Sequence, residues 1–133
     1  MKAANDAVTG YISAIASVLM VSFSQISLRF GMMQVPGEPS IENYLIQVFD
    51  RGGWLVPTAL GAGVLAYGVS FLLWLIALRS LPLSLAYPLL SLSYPIVYIT
   101  ALLLPGFGGQ FDIFQACGIG LIVIGVSVLT WQS

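Results

Sequence analysis

Residues 54–82 read WLVPTALGAGVLAYGVSFLLWLIALRSLP, and the part that ends at Leu78 contains no charged side chain. An apolar run of about 20 residues is the length that an α-helix needs to cross the hydrocarbon core of a bilayer. The connection 79–82 that follows is short, and helices joined by so few residues are antiparallel neighbours. We therefore predict a transmembrane helix over about 54–78, followed at once by another that runs back.

Three further segments, at about 8–33, 83–104 and 113–131, are also mainly apolar and long enough to cross a bilayer. Of the 133 residues, 59% are hydrophobic and 7% are charged, whereas a soluble domain of this size carries about a quarter charged residues. The sequence therefore predicts an all-α membrane protein whose single domain, residues 1–133, consists of four transmembrane helices.

A short segment between the first two spans has the pattern of an amphipathic helix. Ser40 stands where a helix cap is expected, and the apolar residues that follow fall on one helical face. These residues are Ile41, Leu45, Val48 and Phe49. Because the segment is too short to cross a bilayer, we predict that residues 41–49 form a helix lying in the membrane interface.

An even number of spans places both termini on the same side of the membrane. Lys2 and Arg79 then lie on that side and Arg29 and Arg51 on the other, so the count of basic residues is equal. Since Arg29 falls within the first span and contributes less to the positive-inside rule, the balance favours cytoplasmic termini.

The inventory of reactive residues argues against several functions. With a net charge of -1 and no basic block, the chain is not expected to bind nucleic acid. It has no histidine and only one cysteine, Cys117, so we expect neither a metal site nor any other cofactor. No nucleophile with a base and no carboxylate pair can be recognised, so the chain is not expected to be an enzyme.

Polar residues inside a transmembrane helix are costly, and their placement therefore indicates function. In the first span Ser22, Gln25 and Arg29 recur at helical spacing on one face. Arg29 alone can extend its side chain to the headgroups. Gln25 lies about one turn deeper, however, and requires a neighbouring helix or a wet cavity. We predict that all three residues bind a substrate.

The third span carries a stripe of hydroxyl-bearing residues at steps of four, three and four. The stripe consists of Tyr87, Ser91, Tyr94 and Tyr98. Pro88 and Pro95 interrupt the same helix and favour bends. Hydroxyl groups also join packed helices, but a stripe of this length favours the lining of a groove. We predict that Tyr87, Ser91 and Tyr94 bind substrate.

The second and fourth spans show weaker patterns. Tyr67 and Trp74 give a fainter version of the polar-aromatic stripe on the second span, and we predict that they also bind substrate. On the fourth span Gly118 and Gly125 are two helical turns apart and form a smooth strip that lets another helix approach. This strip predicts a packing face or a dimer contact.

Short motifs in the last three spans resemble the small multidrug resistance family. They are the runs 70–74, 81–88 with Ser91, and 118–126. Within the wider drug/metabolite transporter group, the chain is most similar to the aminoarabinose-phosphoundecaprenol flippase subunits. This likeness rests on the run 86–94, on the turn 104–107 and on the long first loop. The last two features are typical of the larger of the two subunit types.

The resemblance implies a four-helix bundle that works as a homodimer, or as a heterodimer with a paralogous four-helix subunit. It implies that the substrate is a polyprenyl-phosphate-linked sugar lipid. The lipid would move from the cytoplasmic to the periplasmic leaflet of the bacterial inner membrane, in the pathway that modifies lipid A. By the same likeness Gly118 and Gly125 belong to the dimer contact, and Tyr87 and Ser91 belong to the substrate groove.

One departure separates the chain from the multidrug branch. Where that branch carries its essential first-helix acid, alignment on Gln25 and Arg29 places Val21 or Ser22, neither of which titrates. We expect Arg29 and Arg79 to meet the lipid phosphate at opposite membrane faces.

Three alternatives remain open. The first is a flippase for another polyprenyl-phosphate sugar or for the bare carrier lipid, which the same groove would serve. The second is a small exporter of amphipathic cations, against which the missing intramembrane acid argues. The third is a structural subunit that only orients a partner, in which case the polar stripe should tolerate alanine.

Overall fold

The computed structural model describes residues 2–34, 46, 54–104, 106–107 and 109–131. Five helices make up this part of the chain. They are α1 (Lys2–Met33), α2 (Leu55–Leu78), α3 (Leu83–Ser91), α4 (Ser93–Leu103) and α5 (Ile113–Trp131). The predicted interfacial helix over 41–49 lies, apart from Ile46, outside the described residues.

These helices provide four spans long and apolar enough to cross a membrane. They are Asp6–Met33, Leu55–Leu78, Leu83–Leu103, which combines α3 and α4, and Ile113–Trp131. The predicted all-α architecture with four spans is confirmed, and each predicted boundary agrees to within two residues. The chain is therefore a multi-pass membrane protein.

Helices α1 and α2 form an antiparallel pair joined by serine hydroxyls. The Ser17 hydroxyl donates to the Ser70 carbonyl and the Ser70 hydroxyl donates to the Ser17 carbonyl, both at 2.9 Å. About two turns further along α1, the Ser24 hydroxyl donates to the Gly63 carbonyl at 2.7 Å. A Cβ atom added to Gly63 would lie 2.7 Å from Cγ of Leu28. Small residues thus bring the two backbones close enough for hydroxyl groups to bridge them.

The third span is divided at Leu92, three residues before Pro95. Proline lacks the N–H of an ordinary helical residue, and its ring crowds the carbonyl four positions earlier, which here belongs to Ser91. The Leu92 N–H donates to the Leu89 carbonyl at 3.1 Å. The Pro88 carbonyl instead accepts a hydrogen bond from the Ser91 hydroxyl at 2.6 Å. The interruption predicted from the prolines is found at Leu92, and a bend there stays a prediction.

The bundle is most closely packed at the end where α1 begins and α2 finishes. The core there consists of Ala14, Trp74, Ala77, Leu81, Ala86, Leu89 and Val126. Ala14, Ala77 and Ala86, on α1, α2 and α3, are each 0% exposed. The three helices are therefore in close contact at this end, which we call the closed end.

Helix α5 is the least embedded element. Among the described elements it packs against α3 and α4 and not against α1 or α2. Only 6% of its most apolar stretch is buried, and large side chains such as Leu121 and Ile124 are exposed. Apolar side chains on the outside suit a helix that faces lipid or another membrane helix.

Candidate functional site

A cavity lined by several polar side chains lies between α1, α2 and the broken third span. This inner cavity has a volume of about 420 Å³ and is lined by Val21, Gln25, Tyr67, Tyr87, Leu90, Ser91, Ser93 and Tyr94. Most of these side chains carry a polar group, although the span residues around them are mainly apolar. The structure therefore brings five predicted binding residues, Gln25, Tyr67, Tyr87, Ser91 and Tyr94, around one space.

A larger cavity adjoins the first towards the C-terminal end of α1. This outer cavity has a volume of about 600 Å³ and is lined by Arg29, Tyr94, Val97, Tyr98, Ala101, Gly109, Gln110, Asp112, Gln115 and Ile119. Tyr94 lines both cavities. The two cavities are therefore neighbours that meet at Tyr94.

The turn between α4 and α5 is held against the end of α1 by Phe107. The Phe107 ring stacks on Phe30 with the two centroids 6.5 Å apart, and its side chain is only 6% exposed. Gly106 adopts φ 95°, a backbone conformation that glycine tolerates better than other residues. The reversal brings the start of α5, including Asp112, to the cavity that Arg29 lines.

Arg29 supplies the positive charge of the outer cavity. Its Nη2 donates to the Phe107 carbonyl at 2.5 Å, and its Cζ lies 5.8 Å from the centroid of the Phe107 ring. A guanidinium group has five N–H donors in a planar fork that matches phosphate oxygens. Arg29 can therefore hold a phosphate while it keeps its contact with Phe107.

Asp112 supplies the negative charge of the same cavity. Its Oδ1 accepts a hydrogen bond from the Phe114 N–H at 2.9 Å and so caps the first turn of α5. Sequence reasoning did not single out Asp112, because it considered only acids in the middle of a span. The available signal was an acid at the start of the fourth span, at the same membrane face as the end of the first.

Tyr98 contributes a hydroxyl group that has no partner. The residue lines the outer cavity, and its hydroxyl oxygen is buried without a hydrogen bond in the described part of the chain. A buried polar group left unsatisfied costs about 1–3 kcal/mol. A polar ligand that offers Tyr98 a hydrogen bond would remove this cost.

Ser22, Trp74 and Arg79 take other positions. Ser22 is 2% exposed, and its hydroxyl donates at 2.8 Å to the carbonyl one turn earlier in its own helix. Trp74 belongs to the closed end, and its ring meets Tyr87 edge-on with centroids 5.5 Å apart. Arg79 follows α2 at the opposite end of the bundle from Arg29. Of these three described residues, none lines the inner or the outer cavity.

Gly118 and Gly125 lie on an open face of α5. A Cβ atom added at either position would meet no described atom within 4 Å. A helix that packs closely on this face would therefore encounter no obstacle from the same chain. The dimer contact itself stays a prediction.

The chemistry that the two cavities offer is that of binding. Their side chains provide a guanidinium, a carboxylate, phenols, amides and hydroxyls, which together can hold a phosphate and a sugar. The described residues contain no group of three or more His, Cys, Asp or Glu that could hold a metal ion. The expectation that the chain works without a cofactor stays a prediction.

Comparisons with known proteins agree with the resemblance found in the sequence. The chain is 43% identical over 125 residues to the probable 4-amino-4-deoxy-L-arabinose-phosphoundecaprenol flippase subunit ArnF of Erwinia tasmaniensis, covering 93% of this chain and 96% of that protein. It is 41% identical to the protein of the same name from Pseudomonas aeruginosa, covering 91% of this chain and 84% of that one. The protein of the same name from Serratia proteamaculans is 36% identical, with 93% of this chain and 94% of that one covered.

No family model matches the chain, and no solved structure matches it. The identities to the three relatives nevertheless extend over all four spans, because each alignment covers at least 91% of this chain. The predicted resemblance is confirmed, and the chain belongs to the ArnF family of 4-amino-4-deoxy-L-arabinose-phosphoundecaprenol flippase subunits.

Proposed function

We propose that the chain is a subunit of a flippase that moves undecaprenyl-phosphate-linked aminoarabinose across the bacterial inner membrane. This lipid would supply the sugar for lipid A modification and so for polymyxin resistance. The observation that carries the proposal is the pair of neighbouring cavities, each lined by several polar side chains, in a chain of this family. On this proposal the protein is a transporter and not an enzyme.

The chemistry of the substrate explains why such a path suffices. A polyprenyl tail is apolar and can remain in the hydrocarbon core throughout the movement. The phosphate and the sugar are polar, and their transfer through hydrocarbon without partners is costly. A protein that offers hydrogen bonds along one side of a groove therefore needs to accompany only the headgroup.

We assign the phosphate to Arg29 and the sugar to the residues of the inner cavity. Among the residues that the structure describes, Arg29 is the only basic one that lines either cavity. Gln25, Tyr67, Tyr87 and Tyr94 offer amide and phenol groups to sugar hydroxyls. Ser91 acts as an acceptor, since its hydroxyl hydrogen is engaged with the Pro88 carbonyl, and Arg79 meets the phosphate at the opposite membrane face.

The shape of the bundle supports a cycle of alternating access. The chain is tightly packed at the closed end, whereas the outer cavity lies at the other end. With cytoplasmic termini, this arrangement corresponds to a path that is accessible from the periplasm. The break at Leu92 gives the third span a point about which α3 and α4 can rock against each other, as broken helices do in other transporters.

Four helices are few for enclosing a path of this size, so we propose that the working unit is a dimer. The free face of α5 with Gly118 and Gly125 would meet the same face of a second copy or of a paralogous four-helix subunit. Co-purification from native membranes, followed by mass spectrometry of the intact complex, distinguishes the two partners by mass.

Replacement of Arg29 by alanine tests the assignment directly. We expect Arg29→Ala to abolish polymyxin resistance in a cell that depends on this protein, because the phosphate would lose its cationic partner in the outer cavity. Arg29→Lys keeps the charge but loses the planar fork, and we expect it to retain part of the resistance.

Mass spectra of lipid A complete the test. Aminoarabinose should disappear from lipid A in the Arg29→Ala strain and be reduced in the Arg29→Lys strain, with both proteins present in the membrane at the wild-type level. Full resistance of the Arg29→Ala strain at normal expression would contradict the assignment. Loss of a different sugar from the cell envelope, with aminoarabinose unchanged, would favour a flippase for another polyprenyl-phosphate sugar.

A further inference from the structure

We propose that Asp112 recognises the positively charged amino group of the substrate, so that the outer cavity binds a headgroup carrying both a negative and a positive charge. The inference rests on the proposed function, because it takes the lipid named for the relatives as the substrate. On this proposal, Asp112 is the residue that lets the protein distinguish an amino sugar from a neutral sugar.

The first observation is that two opposite charges line one cavity without neutralising each other. Arg29 and Asp112 both line the outer cavity. Within the described part of the chain, neither side chain forms an ion pair with the other or with a third residue. Arg29 is exposed and Asp112 is half-buried, so a ligand can reach both groups. A ligand that carries a phosphate and an ammonium group complements both at once.

The second observation concerns the two oxygens of the Asp112 carboxylate. Oδ1 accepts the Phe114 N–H that caps α5. Among the described residues Oδ2 has no hydrogen-bond donor, so it is available to a ligand. An ionised carboxylate accepts hydrogen bonds only, and its natural ligand is therefore a donor, above all a cationic one.

The third observation is that the rest of the cavity suits a sugar. Tyr98 has a buried hydroxyl without a partner in the described chain, and Gln110 and Gln115 add amide groups to the same lining. The volume of about 600 Å³ falls in the range of roughly 300–1,000 Å³ that is usual for small-molecule sites. A phosphate at Arg29 and an amino group at Asp112 would thus have a sugar ring between them.

The rival explanation is that Asp112 serves only as the cap of α5. Asparagine and serine are about as good as aspartate in that position. The variants Asp112→Asn and Asp112→Ser therefore keep the cap and remove the negative charge. Asp6→Asn is the matched control, since Asp6 is an exposed carboxylate on α1 that does not line the outer cavity.

The experiment measures the binding of two synthetic lipids to the full chain in nanodiscs, purified together with any partner that accompanies it. One lipid is a short-chain polyprenyl phosphate carrying 4-amino-4-deoxy-L-arabinose, and the other carries L-arabinose, which has a hydroxyl in place of the amino group. We expect the wild type to bind the amino sugar roughly 10- to 100-fold more tightly, the range expected for a hydrogen bond between charged groups.

In Asp112→Asn and Asp112→Ser the preference should fall to within about twofold, with the affinity for the neutral lipid unchanged, whereas Asp6→Asn should behave like the wild type. The proposal would be overturned if both Asp112 variants still preferred the amino-sugar lipid. It would also be overturned if the variants lost affinity for both lipids equally. A wild type that binds both lipids equally would refute the role of Asp112 and leave the flippase function intact. A wild type that binds neither lipid would refute both.

Discussion

Ser22 and Gln25 lie three residues apart on one side of α1, yet only Gln25 lines the inner cavity. The Ser22 hydroxyl donates to a carbonyl of its own helix. A serine side chain is short enough to reach the carbonyl one turn earlier, which satisfies it within hydrocarbon. The glutamine side chain is longer and extends from the helix surface. The longer side chain of Gln25 thus reaches the cavity, whereas the Ser22 hydroxyl is satisfied within its own helix.

Tyr98→Phe tests whether the unpartnered hydroxyl has a cost in the empty protein. The variant removes the hydroxyl but keeps the ring, so we expect the free energy of unfolding to rise by about 1 kcal/mol and the midpoint of thermal unfolding in detergent to increase. Tyr94→Phe is the control, because Tyr94 is 60% exposed and removal of its hydroxyl group should leave the free energy of unfolding unchanged.

The same variant should weaken lipid binding, since the hydroxyl is expected to bond the headgroup. Binding of the amino-sugar lipid should therefore fall several-fold in Tyr98→Phe, on the order of one neutral hydrogen bond. A destabilised Tyr98→Phe protein would mean that the hydroxyl already has a partner in the empty state.

At the scale of the elements, the apolar runs predicted all four spans because a helix satisfies its backbone hydrogen bonds within a single segment, even in hydrocarbon. Pro88 and Pro95 likewise predicted the interruption of the third span, which the structure places at Leu92. The position of Asp112 could not be predicted in the same way. It depends on how the turn around Phe107 folds over the end of α1, and no helical period describes a turn.

The different hydrogen-bond partners of the serines of α1 also could not be predicted from the helical pattern. Ser24 joins α1 to the Gly63 carbonyl of α2, whereas Ser22 bonds only its own helix. Spacing along one helix shows which residues share a face. It does not show which neighbouring helix that face meets, because the rotation of each helix is set by packing.

Alanine substitution of these two serines separates the roles. We expect Ser24→Ala to lower the free energy of unfolding by about 0.6–1.7 kcal/mol, the range for hydrogen bonds between membrane helices. Ser22→Ala removes only a bond within the helix and should cost clearly less. Both variants can be compared by thermal unfolding in the same detergent. Equal effects would mean that the bridge to α2 contributes nothing beyond local packing.

At the scale of the whole molecule, the bundle is asymmetric. Its buried apolar core lies at the end where the termini are, and the outer cavity lies towards the other face. It is also asymmetric laterally, because α1 contacts α2, α3 and α4 while α5 contacts only α3 and α4 among the described helices. Helix α5 is the least buried of the four spans, and it is the helix that carries the glycine strip.

A dimer built on that strip should be sensitive to bulk at Gly118 and Gly125. We expect Gly118→Leu and Gly125→Leu to raise the dissociation constant of the dimer about tenfold, because an overpacked contact costs roughly 1–3 kcal/mol. Gly61→Leu is the control, since an added side chain on that face of α2 also meets no described atom within 4 Å. The mass of the detergent-solubilised complex, measured by light scattering over a dilution series, reports the equilibrium. If all three variants dissociate at the same concentration as the wild type, the dimer contact lies on another face. If Gly61→Leu alone dissociates more readily, α2 provides the contact.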